Sequence, residues 1–206
     1  MTHTRTDARI HAKASQPSFL RTWLIWTAGF LAFPLAGIAG TGVAGRLDSP
    51  SAALLGGGVT GLVIGAGQAL AGGRRLDPRR WIPATAIGMG LGLGLGAAAV
   101  DYQTSLADLA LMGVLTGLVL GPAQAAALPR HTRRRWAWAA ALPVLWSLGW
   151  TVTTLAQIQV DEQFMIFGAA GALTFSAVSG LLLHHLLPHR GGLHPDQAHA
   201  PVGTRA

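Results

Sequence analysis

The chain alternates between long apolar stretches and short polar segments. Six stretches contain no Asp, Glu, Lys or Arg, and each has about the 20 residues that a helix needs to cross the hydrocarbon core of a bilayer. They cover residues 22–45, 49–73, 81–100, 109–129, 136–160 and 163–187. Backbone amides in lipid must be bonded within their own segment, so these stretches predict six helices. The short alternating segments of a transmembrane barrel are absent from the sequence.

The first stretch could also be read as a signal peptide, because the small residue Ala44 follows an apolar run. The apolar region of a signal peptide is about 7 to 15 residues long, and this run is longer, so we interpret it as a first span. The predicted organisation is a cytoplasmic N-terminal segment at 1–20, a membrane domain at 21–188 and a disordered cytoplasmic tail at 189–206.

The amino-acid composition also indicates an integral membrane protein. Charged residues make up 11% of the 206 residues, against about 25% in soluble domains, and half of the residues are hydrophobic. The absence of cysteine excludes disulfides, thiol catalysis and cysteine-ligated metal or haem. We expect no cofactor.

The positive charges lie almost entirely on one side of the predicted spans. They flank the helices as Arg5, Arg9, Lys13, Arg21, Arg74, Arg75, Arg79, Arg80, Arg130, Arg133, Arg134, Arg135, Arg190 and Arg205, whereas only Arg46 lies on the other side. The positive-inside rule then places both termini in the cytoplasm, and we expect a bacterial inner-membrane protein. This placement explains the net charge of +7 without nucleic acid. The basic loops act as a topology signal or recruit anionic lipid or a cytoplasmic partner.

The even-numbered spans repeat one another. The pattern of span two returns 56 residues later in span four, and a weaker third copy follows in span six. The predicted helix-packing residues of the three copies are Gly57, Gly61 and Gly65; Gly113, Gly117 and Gly121; and Gly168, Ala172 and Ser176. Arg80-Trp81 and Arg135-Trp136 open successive odd spans. The sequence thus predicts an all-α, six-helix transmembrane bundle of three tandem two-helix hairpin repeats, inserted in the same sense.

Small residues on one helical face let helix backbones approach closely in lipid, which favours a packing role for these positions. The alternative is a narrow pore or solute path, with Thr60, Gln68, Thr116 and Gln124 as its polar groups. Span three has a glycine at every second position from 88 to 96. On a helix, the glycines at 88, 92 and 96 face one way and those at 90 and 94 face nearly the opposite way. This helix is therefore predicted to lie between two neighbours. Pro34 and Pro143 are expected to kink spans one and five.

No span carries an ionisable residue at depth, although proton relays, ion-coupled transport and membrane catalysis usually require one. No nucleophile–base arrangement, phosphate-binding loop or HExxH site is present, so we do not expect an enzyme. Histidines gather at the C-terminal end, as His184, His185, His189, His194 and His199. Their irregular spacing favours a disordered tail over a metal site.

The GxxxGLxxGxxQA segment of residues 57–69, its copy in span four and the following basic loop with Arg-Arg-Trp resemble a group of uncharacterised bacterial polytopic membrane proteins. The resemblance covers residues 57–150 and implies no known activity. The leading interpretation is a non-enzymatic accessory or scaffold component whose partners are the lipid bilayer and other membrane subunits or further copies of the chain. The alternative is a channel or permease for a small neutral solute.

Overall fold

The protein is all-helical over the residues that the structure describes. The computed structural model describes residues 18–132, 134–157 and 165–187. The α-helices are α1 (Phe19–Ala28), α2 (Ala32–Ala44), α3 (Pro50–Gly72), α4 (Pro78–Ala99), α5 (Leu106–Ala127), α6 (Arg135–Leu155) and α7 (Ala169–Leu186). Short 3₁₀ turns at Gly29–Leu31 and Gly73–Arg75 follow α1 and α3. The termini at 1–17 and 188–206, with the predicted tail, lie outside the described residues.

Local sequence signals explain where the helices begin and end. Side chains of Ser49, Asp77 and Ser105 accept hydrogen bonds from backbone N–H groups in the first turns of α3, α4 and α5. Gly45 and Gly73 follow α2 and α3 with φ of 77° and 54°, a conformation that favours glycine. Side-chain or glycine caps therefore mark the start or the end of α2, α3, α4 and α5.

The first predicted span is continuous but changes helix type at its centre. The 3₁₀ turn Gly29–Leu31 separates α1 from α2, and Pro34 follows one turn later. Pro34 has no N–H to donate to the carbonyl of Phe30, and its ring crowds that carbonyl, which accounts for the interruption. By contrast, α6 runs through Pro143 as one α-helix.

Five helical segments are long and apolar enough to cross a membrane: Phe19–Ala44, Pro50–Arg75, Pro78–Ala99, Leu106–Ala127 and Ala169–Leu186. Helix α6 has 21 residues but is less apolar, because it carries four Trp residues and four hydroxyl side chains. The last helix starts at Ala169, later than the predicted 163, since Gly168 precedes it as a cap. Many large apolar side chains also remain exposed on the outside of the helices, as expected for lipid contact.

The helices form a closed ring. Each segment packs against the next along the chain, and α1 packs against α7, so the first segment also meets the last. Because α1 and α2 form one segment and successive segments run in opposite directions, the basic loops after α3 and α5 lie at the same end as the start of α1. We call this the basic end, and the opposite end the acidic end.

Glycines of α4 face both of its neighbours, as their alternation predicts. A Cβ added at Gly92 or Gly96 would lie 2.7–2.8 Å from backbone carbonyl oxygens of α5. At Gly90 it would instead lie 2.9 Å from the carbonyl oxygen of Leu54 on α3. Helix α4 therefore lies between α3 and α5, at distances that side chains on α4 would not allow.

The small faces of α3 and α5 point to the following helix. A Cβ at Gly61 would lie 2.7 Å from backbone atoms of Thr85 and Ala86, and one at Gly117 would lie 2.5 Å from backbone atoms of Pro143. Gly57 and Gly65 face α4 in the same manner, and Gly113 and Gly121 face α6.

The third copy differs from the prediction at Gly168, which caps α7 rather than lying on its face. The close approach of α7 to α6 is instead at Gly171, where a Cβ would collide with the carbonyl oxygen of Gly149. Ala172 and Ser176 are buried on α7.

This geometry predicts that Gly117→Ala is destabilising, since the added methyl group would push α5 and α6 apart. We expect a loss of about 1–3 kcal/mol in the free energy of unfolding, measured by thermal denaturation in detergent. The matched control is Gly58→Ala on α3, where nothing lies within 4 Å of the added Cβ. That variant should be neutral or gain up to about 1 kcal/mol. Equal effects of the two variants would contradict backbone contact at Gly117.

Candidate functional site

The most distinctive part of the interior is a set of buried polar side chains near the basic end. Three Trp residues, each on a helix that starts at this end, point inward and donate their indole N–H groups to side chains of neighbouring helices. We call this set the polar layer; it consists of Trp26, Gln68, Trp81, Thr85, Gln124, Trp138 and Ser179.

Four helices share one continuous hydrogen-bond chain in this layer. Trp81 Nε1 on α4 and Gln124 Nε2 on α5 donate to Gln68 Oε1 on α3, at 3.0 and 3.2 Å. Gln124 Nε2 also donates to Thr85 Oγ1 at 3.0 Å. Trp138 Nε1 on α6 donates to Gln124 Oε1 at 3.0 Å. Gln124 therefore joins α4 to α6, and Gln68 binds side chains of α4 and α5.

A third indole bond closes the ring between α7 and α1. Trp26 Nε1 donates to Ser179 Oγ at 3.0 Å, and Ser179 Oγ donates to the carbonyl of Ser176 at 3.3 Å. The ring of Trp138 lies edge-on to Trp26 at 6.4 Å and tilted against Trp81 at 6.0 Å. The indoles of three different helices thus meet around Trp138.

The two threonines of the predicted polar path bond within hairpins. Thr60 Oγ1 donates to the carbonyl of Ala36 at 3.3 Å, and Thr116 Oγ1 contacts the carbonyl of Gly92 at the same distance. Both pairs are 24 residues apart in sequence. Thr116 also donates to the carbonyl of Met112 at 2.8 Å, one turn back in its own helix.

All four residues of the predicted polar path are buried. Gln68 is 5% exposed and Gln124 is 1% exposed, and both amides are held by the neighbouring helices. Thr60 and Thr116 are fully buried against backbone carbonyls. The structure brings Gln68 and Gln124 into direct contact, whereas the two threonines lie at separate helix pairs.

No protein-family model, curated protein or solved structure matches this chain.

The Trp residues of the layer correct the pairing that Arg-Trp motifs predicted. The motifs pair Trp81 with Trp136, yet Trp136 is 57% exposed. The Cζ atom of Arg135 lies 5.4 Å from the centroid of the Trp136 ring. Trp138 instead makes the contact equivalent to that of Trp81. Trp136 and Trp138 are two residues apart on a helix, so their side chains differ by about 200° in direction. Only one of the two indoles can therefore face inward. Trp26, Trp81 and Trp138 recur at nearly the interval of the two glutamines, a signal that would have identified them.

The half of the interior toward the acidic end is filled by aromatic rings. Phe33, Trp146, Phe167 and Phe175 lie with ring centroids 5.0–6.0 Å apart, and Trp150 meets Phe167 edge-on at 5.9 Å. Among the residues that the structure describes, the buried indole N–H groups of Trp146 and Trp150 have no hydrogen-bond partner. Aromatic packing therefore fills much of this half, together with the hydrogen bond from Gly168 N to Thr153 Oγ1 at 3.0 Å.

A short non-helical segment, residues 165–167, inserts between the helices at the acidic end. The three side chains of Met165, Ile166 and Phe167 are buried. A Cβ at Gly56 would lie 2.6 Å from Met165 Cε, and one at Gly149 would lie 2.8 Å from the Phe167 ring. Glycines on α3 and α6 thus make room for this segment, which fills the end of the ring where α7 has not yet begun.

The chemistry available in this interior is hydrogen bonding by neutral groups. Among the residues that the structure describes, the buried polar side chains are all Thr, Ser or Gln. Over the same residues, no three His, Cys, Asp or Glu side chains gather as a metal site would require. His189, His194 and His199 lie outside the described residues.

The polar layer predicts energetic coupling between Gln124 and Trp138. In a double-mutant cycle of Gln124→Leu and Trp138→Phe, each single variant removes the same bond, so the two losses should not add. We expect a coupling of about 0.6–1.7 kcal/mol in the free energy of unfolding in detergent. The control cycle pairs Gln124→Leu with Trp136→Phe, which should be additive. Additivity in both cycles would contradict the bond.

Proposed function

We propose that this chain is a six-span protein of the bacterial inner membrane that acts as a non-enzymatic accessory or scaffold component. Five of its helices are apolar enough to span on their own. The proposal includes α6 as the remaining span because it packs between α5 and α7 in the ring. Its four indoles account for its lower hydropathy, and three of them are buried inside the protein.

The proposal includes three hairpin copies, α1/α2–α3, α4–α5 and α6–α7. Equivalent contacts support the first two copies: Thr60 reaches the carbonyl of Ala36 as Thr116 reaches that of Gly92. The third copy has Gly171 close to Gly149 in place of a threonine contact. The three indole bonds then fall at the three boundaries between hairpins, which supports an arrangement of parallel repeats around an axis along the membrane normal.

Orientation is proposed from charge. The loops at the basic end carry the Arg clusters around Arg74–Arg75, Arg79–Arg80 and Arg134–Arg135. The positive-inside rule places this end, with both termini, in the cytoplasm.

The observation that supports the scaffold role is the burial of the interior polar groups among the residues that the structure describes. A solute path would need polar groups directed to an open lumen, but Gln68 and Gln124 are buried and bonded to Trp81, Thr85 and Trp138. The aromatic rings and residues 165–167 fill the other half. Rigid helix packing with a lipid-facing apolar surface fits a component that presents its surface to lipid and to other membrane subunits.

Solute flux into proteoliposomes tests this proposal against the permease alternative. Vesicles containing the full-length protein are mixed rapidly with hyperosmotic glycerol or urea, and their volume is followed by light scattering. We expect the rates of protein-free vesicles, with a known solute channel as the positive control. Re-swelling clearly faster than in protein-free vesicles would refute the scaffold role and favour the permease.

A further inference from the structure

A small cleft opens at the basic end beside the boundary between the third hairpin and the first. It lies between α1, α7 and the end of α3 with its 3₁₀ turn, and it is lined by Thr22, Trp26, Ala71, Gly72, Arg75, Gly180, Leu183 and His184. At the two other hairpin boundaries a glutamine side chain meets the inward indole. Here Ser179 is the acceptor, and Trp26 packs directly on Gly180, where an added Cβ would lie 2.7 Å from Trp26 Cδ1.

The cleft holds a cation that no acidic lining residue offsets. Arg75 is half-buried, whereas Arg74, Arg79 and Arg80 around it are exposed. Its Nη2 donates to the hydroxyl of Thr22 at 3.4 Å, and none of the lining residues is acidic. Removing a guanidinium from water is costly unless an anion or strong acceptors replace the water, so this position favours an anionic ligand.

The remaining walls are apolar. Trp26, Ala71 and Leu183 form them, and the neighbouring side chains Leu20, Leu24 and Leu70 are exposed on the lipid-facing outside. The cleft lies where apolar helices end, which is the depth of lipid headgroups and the upper part of the acyl chains. An amphiphile with an anionic head next to an apolar body matches both parts of this site.

We propose that the cleft binds one anionic phospholipid of the surrounding membrane. Its phosphate accepts hydrogen bonds from Arg75 and Thr22, and its glycerol and upper acyl chains pack on Ala71 and on the exposed side chains Leu20, Leu24 and Leu70. The site requires the helices to span a bilayer but is independent of whether the ring conducts solute. A failed binding test would therefore leave the flux result unaffected.

Native mass spectrometry of the full-length protein in neutral detergent, titrated with phosphatidylglycerol, tests the site. Arg75→Gln and Arg74→Gln remove the same charge from adjacent positions. The effect of a lower surface charge on lipid binding is therefore the same in both variants, and a difference between them reports on the cleft. We expect the first bound lipid to be at least about tenfold weaker in Arg75→Gln than in Arg74→Gln, as for loss of a charged hydrogen bond. Phosphatidylcholine should bind the unmodified protein more weakly than phosphatidylglycerol.

A second variant tests the shape of the cleft without changing its charge. Ala71→Phe fills the apolar wall and keeps Arg75, and it should also lose the first lipid while its unfolding midpoint in detergent confirms folding. Equal losses in Arg74→Gln and Arg75→Gln would overturn the proposal, as would equal binding of phosphatidylcholine. Full displacement of the lipid by inorganic phosphate would show a site for free anions instead.

Discussion

The burial of indole N–H groups in an apolar interior is the constraint on which this ring depends. An unpaired donor of this kind costs about 1–3 kcal/mol, so each inward Trp at the basic end needs an acceptor on another helix. Gln68, Gln124 and Ser179 supply those acceptors. Each bond joins a helix that leaves the basic end to one that returns to it. Three such bonds therefore fix which helices are neighbours and close the first helix onto the last.

The polar layer is possible only because the helices approach one another through glycine. At Gly61 and Gly117 the facing helix lies so close that its backbone would contact an added methyl group. In lipid no hydrophobic effect drives helices together, so contact area and hydrogen bonds must do so. The glycines provide the contact area, and the short separation lets the amides span from one helix to the next.

Much of the fold could be predicted from the sequence, since apolar length and glycine spacing are local signals. The faces of α4 and the extents of α3 to α5, to within about three residues of the predicted spans, are of this kind. Other features depend on tertiary context. Trp138 could not be chosen over Trp136 from the Arg-Trp motif alone, although its spacing from Trp81 nearly equals that of the two glutamines. The burial of residues 165–167 also depends on space left by Gly56 and Gly149, which no local pattern of that segment reveals.

Contact between α1 and α7 is the most direct measure of ring closure. The chain has no cysteine, so Phe19→Cys with His184→Cys introduces its only two thiols. These side chains have ring centroids 4.4 Å apart. A short bifunctional thiol reagent in native membranes should link them within one chain, whereas Phe19→Cys with Leu155→Cys, at opposite ends of the helices, should not link. Absence of the first cross-link under conditions that modify both thiols, or equal linking in both pairs, would contradict a closed ring.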